Sequence, residues 1–288
     1  MTGFVPDMDA PIGARRSGRA RYAAAMSLYQ AGELSPDALE VYRICSLLDA
    51  QDPAPLLAEL GIAVPGGRKL TAEVAIRSLV DAADRYLCTL PGPGVAEVRS
   101  GLNRWRSGAV AAAPRRNAVQ ESWLAPALAD LGALHPELTH AIEFASPYLG
   151  WTTYDAYPPD EIGSGFAGGH CYASIIGEDA AIPAQDFDLG LFLIAPHLLY
   201  RDHDHAAPEL YAPLTGPHGW RFGADRPLVI KAAHDPVWNP PFRPHMTKVG
   251  PTPFLALYGW TRDTAFAARV IPATDWPELE ALRLKPWP

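Results

Sequence analysis

Cysteine is scarce in this 288-residue chain: Cys45, Cys88 and Cys171 are far apart and odd in number. That excludes a disulfide framework and reads as free thiols in a reducing compartment. No run of 18 or more apolar residues exists, which excludes a transmembrane helix. The first 29 residues carry Arg15-Arg16 without a continuous apolar stretch behind them, so secretory export is not expected and the cytoplasm is the expected location. Excess positive charge is also missing. The net charge is -8, which leaves no electrostatic footprint for nucleic acid. Neither a G-x-G-x-x-G turn after a strand nor a Walker loop occurs, so no nucleotide cofactor is expected. Gly163-Ser-Gly-Phe-Ala-Gly-Gly169 fits neither pattern and is expected to be a flexible loop or lid. No internal repeat is visible.

What is present divides into two textures. Residues 1–145 read as helical. Ser35 is a good N-cap with Pro36 behind it, and Thr71 can cap a helix over 72–87 whose Val74, Ile76, Leu79, Val80 and Ala83 form an apolar stripe. Further helices are expected over 19–30, 96–105, 117–131 and 136–145. Beyond residue 146 lie six of eight Trp, seven of nine Phe and seven of eleven Tyr. Short strand-like segments there (171–176, 187–195, 209–214, 219–222, 227–233, 254–260 and 267–271) alternate with Gly and Pro turns, the texture of a barrel or double-sheet jelly roll. The expected fold is α+β, with a helical region at 1–145 and a β-barrel at 146–288.

The chemistry concentrates in Tyr200-Arg-Asp-His203-Asp-His205-Ala-Ala-Pro-Glu209-Leu-Tyr211, with Gly216 seven residues after the glutamate. Alternate strand residues share a face, so His203 with His205, and Glu209 with Tyr211, can point into one interior. Polar ligands at the ends of apolar strands are costly unless a cation satisfies them. His245 can complete the set from a third strand, with His234 as the second candidate; His170, His197 and His218 read as surface or core histidines. Three imidazoles and a carboxylate suit one divalent transition metal: Zn, Fe(II), Mn, Ni or Co. Tyr200 and Tyr211 flank the motif. A cation nearby would lower a phenol's pKa and make it available as a base.

The H-x-H-x3-E-x6-G spacing resembles the first motif of the cupin superfamily, although His197 stands where that motif usually has glycine. The second cupin motif is degenerate: Pro240 and His245 match, while His234, Phe242 and Val249 replace its two glycines and its asparagine. The tyrosine-bracketed motif, the distant His245 and Pro253-Phe-Leu-Ala-Leu-Tyr-Gly-Trp260 together resemble the cupin-type dimethylsulfoniopropionate (DMSP) lyases over roughly residues 120–270. Residues 1–110 have no assigned counterpart. The resemblance implies a carbon–sulfur lyase that cleaves DMSP by β-elimination to dimethyl sulfide and acrylate. It implies Tyr211 as base, Tyr200 as substrate contact or assistant, and His205, Glu209 and His245 as the firmest ligands. The sulfonium would be held by aromatic rings, for which Trp151, Tyr154, Trp238, Tyr258 and Trp260 are candidates. The expected partner is a small onium carboxylate, with neither nucleic acid nor membrane, and a homodimer is allowed. Three other readings stay open: a lyase or isomerase acting on another carboxylate, an Fe(II) dioxygenase, and a non-catalytic binding module that dimerises through its helical half.

Overall fold

The computed structural model describes residues 8, 10–30, 32–62 and 72–285. The expected cap Thr71 lies outside the described residues. The chain divides into two compact units, 1–71 and 72–288.

In the first unit, α1 (Ser17–Gln30), α2 (Pro36–Cys45) and α3 (Ala54–Glu59) pack around Ala25, Leu34, Val41, Tyr42, Cys45 and Leu57. α2 begins as expected: the Ser35 side chain accepts a hydrogen bond from Ala38 N, with Pro36 at the first helical position. The Asp49 carboxylate accepts from the backbone N–H groups of Arg16 and Gly18 and so caps the start of α1.

The second unit opens with four helices: α4 (Ala72–Cys88), α5 (Val95–Trp105), α6 (Ala118–Leu131) and α7 (Pro136–Ala145). α4 buries Ile76, Leu79, Val80, Ala83 and Leu87, the face its periodicity describes. Asn117 accepts from Val119 N and caps α6. Two short helices follow, α8 (Pro159–Ile162) and α9 (Ser164–Ala167), so the expected glycine-rich flexible loop is instead a helical turn. Its anchor is Phe166, which is buried and stacks between His170 and Tyr200 with both ring centroids at 4.0 Å.

Eleven strands among the described residues form two sheets. They are β1 (His170–Gly177), β2 (Ile182–Pro183), β3 (Asp188–Ile194), β4 (Leu199–Asp204), β5 (Glu209–Pro213), β6 (His218–Arg221), β7 (Val229–Lys231), β8 (Val237–Asn239), β9 (His245–Lys248), β10 (Phe254–Trp260) and β11 (Arg269–Val270). The six-stranded sheet runs β2-β1-β3-β10-β5-β8 and the five-stranded one β11-β4-β9-β6-β7. The expected barrel is therefore two sheets without closure. The lateral strands are two or three residues long, and Pro183, Pro227, Pro236 and Pro240 stand in or beside them without a ladder donor. All strand pairs are antiparallel except β1 with β2.

Alternation gives the six-stranded sheet two faces. Leu189, Leu191, Leu193, Leu210, Leu255 and Leu257 belong to one core with the helices α4–α7. Phe192, Ile194, Tyr211, Ala256 and Tyr258 point the other way and join Tyr200 and Trp220 of the second sheet. The space between the sheets holds the site. Among the described residues no helix is long and apolar enough to cross a membrane. Cys45, Cys88 and Cys171 are free.

Candidate active site

His203 and His245 are direct register partners across β4 and β9, and their ring centroids lie 4.1 Å apart. His205 follows the end of β4. The three imidazoles are buried and offer nitrogen atoms within 4.8 Å of one another. In each ring Nδ1 faces a backbone carbonyl: His203 to Arg201 O at 2.8 Å, His205 to Ala207 O at 2.7 Å, and His245 to Arg243 O at 2.9 Å. Nδ1 is therefore the anchored end of each ring, and each Nε2 faces the common centre. This is the second-sphere pattern that orients metal-binding histidines. Among the described residues His203 Nε2 and His245 Nε2 are buried without a hydrogen-bond partner. Two such orphaned atoms beside a carboxylate fit a divalent cation.

Glu209 comes from the opposite sheet. Its Oε2 lies 3.2 Å from His205 Nε2 and 3.3 Å from His245 Nε2. Pairing register explains its remaining contacts. Glu209 faces Trp260 on β10 and Asn239 on β8; Trp260 Nε1 donates to Oε1 at 2.7 Å and Asn239 Nδ2 to Oε2 at 3.1 Å. Burial alone would raise the Glu209 pKa, but His205, with further help from His245, holds the carboxyl well below its usual range. For His205, burial opposes the charge and the Glu209 carboxylate outweighs it, so its pKa is raised. Burial first, and the neighbouring imidazoles second, push His203 well below its ordinary value and keep it neutral.

The second-choice histidine, His234, is elsewhere. Its Nδ1 pairs with Tyr86 Oη at 2.9 Å and its ring meets His135 at 4.6 Å. His170 and His218 are buried with both ring nitrogens hydrogen-bonded, and His170, expected only as a surface or core histidine, also lines the cavity beside the site. His197 is partly buried, at a turn with φ 66°.

A cavity of about 180 Å³ adjoins the histidines, and His205, Glu209, Tyr200 and Tyr211 all line it. Tyr200 is three residues before His203, so strict alternation would turn the two side chains apart. A β-bulge corrects this: Tyr200 pairs with Thr247 while His203 pairs with His245, so β4 carries one extra residue. The Tyr200 ring consequently stacks on His203 at 3.8 Å. Its hydroxyl meets Tyr157 Oη at 2.8 Å. Burial pushes the phenols of Tyr200 and Tyr211 well above their ordinary value, and the Glu209 charge raises Tyr211 further.

Of the aromatic candidates, Tyr154, Tyr258 and Trp260 line the cavity. Trp151 and Trp238 do not. Trp151 is buried in the helix-side core with Nε1 donating to Ser146, and Trp238 packs against Gly94 on the far face of β8. Tyr157, Tyr172, Asp188 and Phe192 also line the cavity and were not anticipated. Asp188 had a readable signal, a carboxylate opening the otherwise apolar strand Asp188–Ile194. Tyr157 had none, because only the fold of α8 and α9 brings it beside Tyr200.

Comparison with known proteins gives the family and the fold. The family model described as dimethylsulfoniopropionate lyase matches residues 105–256, just over half of the chain. Among solved structures, one reported under "DMSP lyases RdDddP and RnDddQII" superposes with a TM-score of 0.52 at 19% identity, covering 70% of this chain and 100% of that one. The DMSP lyase DddQ from Ruegeria pomeroyi DSS-3 gives 0.51 at 20% identity, covering 70% and 96%. A cupin-like protein from Thermotoga maritima aligns more weakly, with a TM-score of 0.36 at 13% identity, covering 46% and 92%. No curated protein matches the chain significantly.

Proposed function

The chain belongs to the dimethylsulfoniopropionate lyase family, and we propose that it is a metal-dependent DMSP lyase releasing dimethyl sulfide and acrylate with a tyrosine base. The observation that carries this reading is the convergence of three histidines beside a cavity lined by six tyrosines, Tyr200 and Tyr211 among them. His203, His205, Glu209 and His245 would hold one divalent transition metal: Zn, Fe(II), Mn, Ni or Co. Bound there, the ion would supply the positive charge that anchors a carboxylate, acidifies the adjacent C–H and offsets the burial that keeps the tyrosines protonated. The fold reading that goes with it is a cupin jelly roll over residues 146–288, preceded by a helical region over 1–145. The three free thiols support a cytoplasmic location.

Tyr211 shares the face of Glu209 on β5 and is the base. It takes the proton from the carbon next to the substrate carboxylate. The electron pair released forms the carbon–carbon double bond as the C–S bond breaks, and the sulfur leaves with that bond's electrons as neutral dimethyl sulfide. Tyr200, fixed by its stack on His203 and its hydrogen bond to Tyr157, contacts substrate and assists. The cavity walls exclude water from the carbanion-like transition state.

Headspace gas chromatography of the pure protein with DMSP, after reloading with each of the five metals, is the direct test. Dimethyl sulfide release is expected. Silence with every metal would replace DMSP by another carboxylate substrate.

A further inference from the structure

Asp188 opens β3 at the end of the cavity away from the histidines. Register places it with the site: Asp188 faces Trp260 on β10, Trp260 faces Glu209 on β5, and Glu209 faces Asn239 on β8. Directly paired residues project to the same face of a sheet. The two carboxylates therefore stand on one row, two strand spacings or about 10 Å apart, with the Trp260 indole between them.

The surroundings of Asp188 are built. Its Oδ2 accepts from Ser174 Oγ and from Tyr258 Oη, each at 3.1 Å, and Ser174 and Tyr258 are themselves 2.9 Å apart. Its Oδ1 is buried and has no partner. Tyr258 reaches this position because residue 190 is glycine: a Cβ there would meet Ala173 O at 2.5 Å and Tyr258 Oη at 2.9 Å. Tyr172 closes the corner, meeting the Tyr258 ring edge to face at 6.3 Å. Burial raises the Asp188 carboxyl to about 7 against the opposing hydrogen bonds, so this acid lacks a compensating cation. Among the described residues no Lys or Arg lines the cavity.

We propose that Asp188, held by Ser174 and Tyr258 and flanked by Tyr172 and Trp260, is the counter-ion for the cationic head of the substrate. A permanent onium cation has no N–H or O–H to donate, so it is recognised by charge and by aromatic faces, and both are present here. The row sets the polarity of binding. The ligand's carboxylate goes to the histidine end and its cation to the Asp188 end, which selects a short zwitterion over an uncharged acid of the same shape. The inference rests on the proposed carboxylate site at the histidines and adds what selects the other end of the molecule.

Isothermal titration of the purified, metal-loaded protein tests this without relying on turnover. The probes are 3-(trimethylammonio)propionate and its uncharged-head counterpart 4,4-dimethylpentanoate. The wild type should prefer the onium acid by about tenfold or more. Asp188→Asn should abolish that preference while leaving 4,4-dimethylpentanoate affinity unchanged. Tyr258→Phe, which removes one hydrogen bond to Oδ2, should reduce the preference in part, and it provides an independent reading if Asp188→Asn does not fold. A retained preference in both variants, or an equal loss for both acids, overturns the proposal. Binding of neither acid to the wild type would overturn it together with the proposed activity. A preference lost in Asp188→Asn, in a protein that releases no dimethyl sulfide from DMSP, would uphold the cation site and remove the lyase reading alone.

Discussion

The Trp260 indole donates its only hydrogen bond to Glu209, its partner across β10 and β5, at 2.7 Å. The same ring lies 4.8 Å from the His205 imidazole. One aromatic side chain thus orients two of the proposed ligands. Trp260→Phe keeps most of the ring and removes the donor. The expected outcome is a loss of about tenfold or more in metal affinity with the fold retained, measured by competition with a chelator. Unchanged affinity would show that Asn239 alone positions the carboxylate.

The ligand set makes a sharper statement. His203→Ala, His205→Ala and His245→Ala should each leave less than about a tenth of wild-type metal by elemental analysis, because each removes one of the four proposed protein ligands. His234→Ala should load normally, since that imidazole is bonded to Tyr86 instead. Full occupancy in a variant of the triad, or loss in His234→Ala, would redraw the site.

The two tyrosines can be separated. Tyr211→Phe should retain metal and lose about a hundredfold or more of turnover, the scale of a lost general base. Tyr200→Phe should lose less, because the stack on His203 survives the change and only the hydroxyl shared with Tyr157 disappears. If the Tyr200 variant proves the more damaged of the two, the assignment of base and assistant reverses.

A fourth prediction concerns stability. His218 is held neutral: its Nδ1 accepts from Gly250 N at 3.1 Å and its Nε2 pairs with Thr215 Oγ1 at 3.2 Å, while burial lowers its pKa to about 3. A histidine depressed in the folded state stabilises above its unfolded pKa of about 6.5. That contribution falls progressively as pH drops from there towards 3. Denaturant midpoints of wild type and His218→Gln should therefore differ most above pH 6.5 and converge in acid. A constant gap would contradict the neutral buried ring.

Much of this was legible in the sequence, and for a physical reason. Side chains at i and i+2 share a face, so Glu209 with Tyr211 could be grouped by counting. The apolar strands Asp188–Ile194 and Phe254–Trp260 declared themselves by composition. β4, β8 and β9 did not, because they are short, mix polar ligands with apolar residues and depend on partners far along the chain. The cation end of the cavity escaped notice because Asp188 and Glu209 are related only through register with β10. Trp151 and Trp238 lie on the helix side for the converse reason: the sequence carries no mark of which side of the sheet an aromatic side chain packs against.

The extra residue in β4 has a bearing on how such chains are compared. It re-phases the strand between Tyr200 and His203, so a motif template built on strict alternation would assign Tyr200 to the wrong side. Shortening the chain by one residue at Arg201 would leave the tyrosine two residues before the histidine, on the same face by plain alternation, so both rings would still point into the chamber. Spacing at this point therefore has to be read together with the pairing register, because a relative with one residue fewer between tyrosine and histidine presents the same pair of side chains without a bulge.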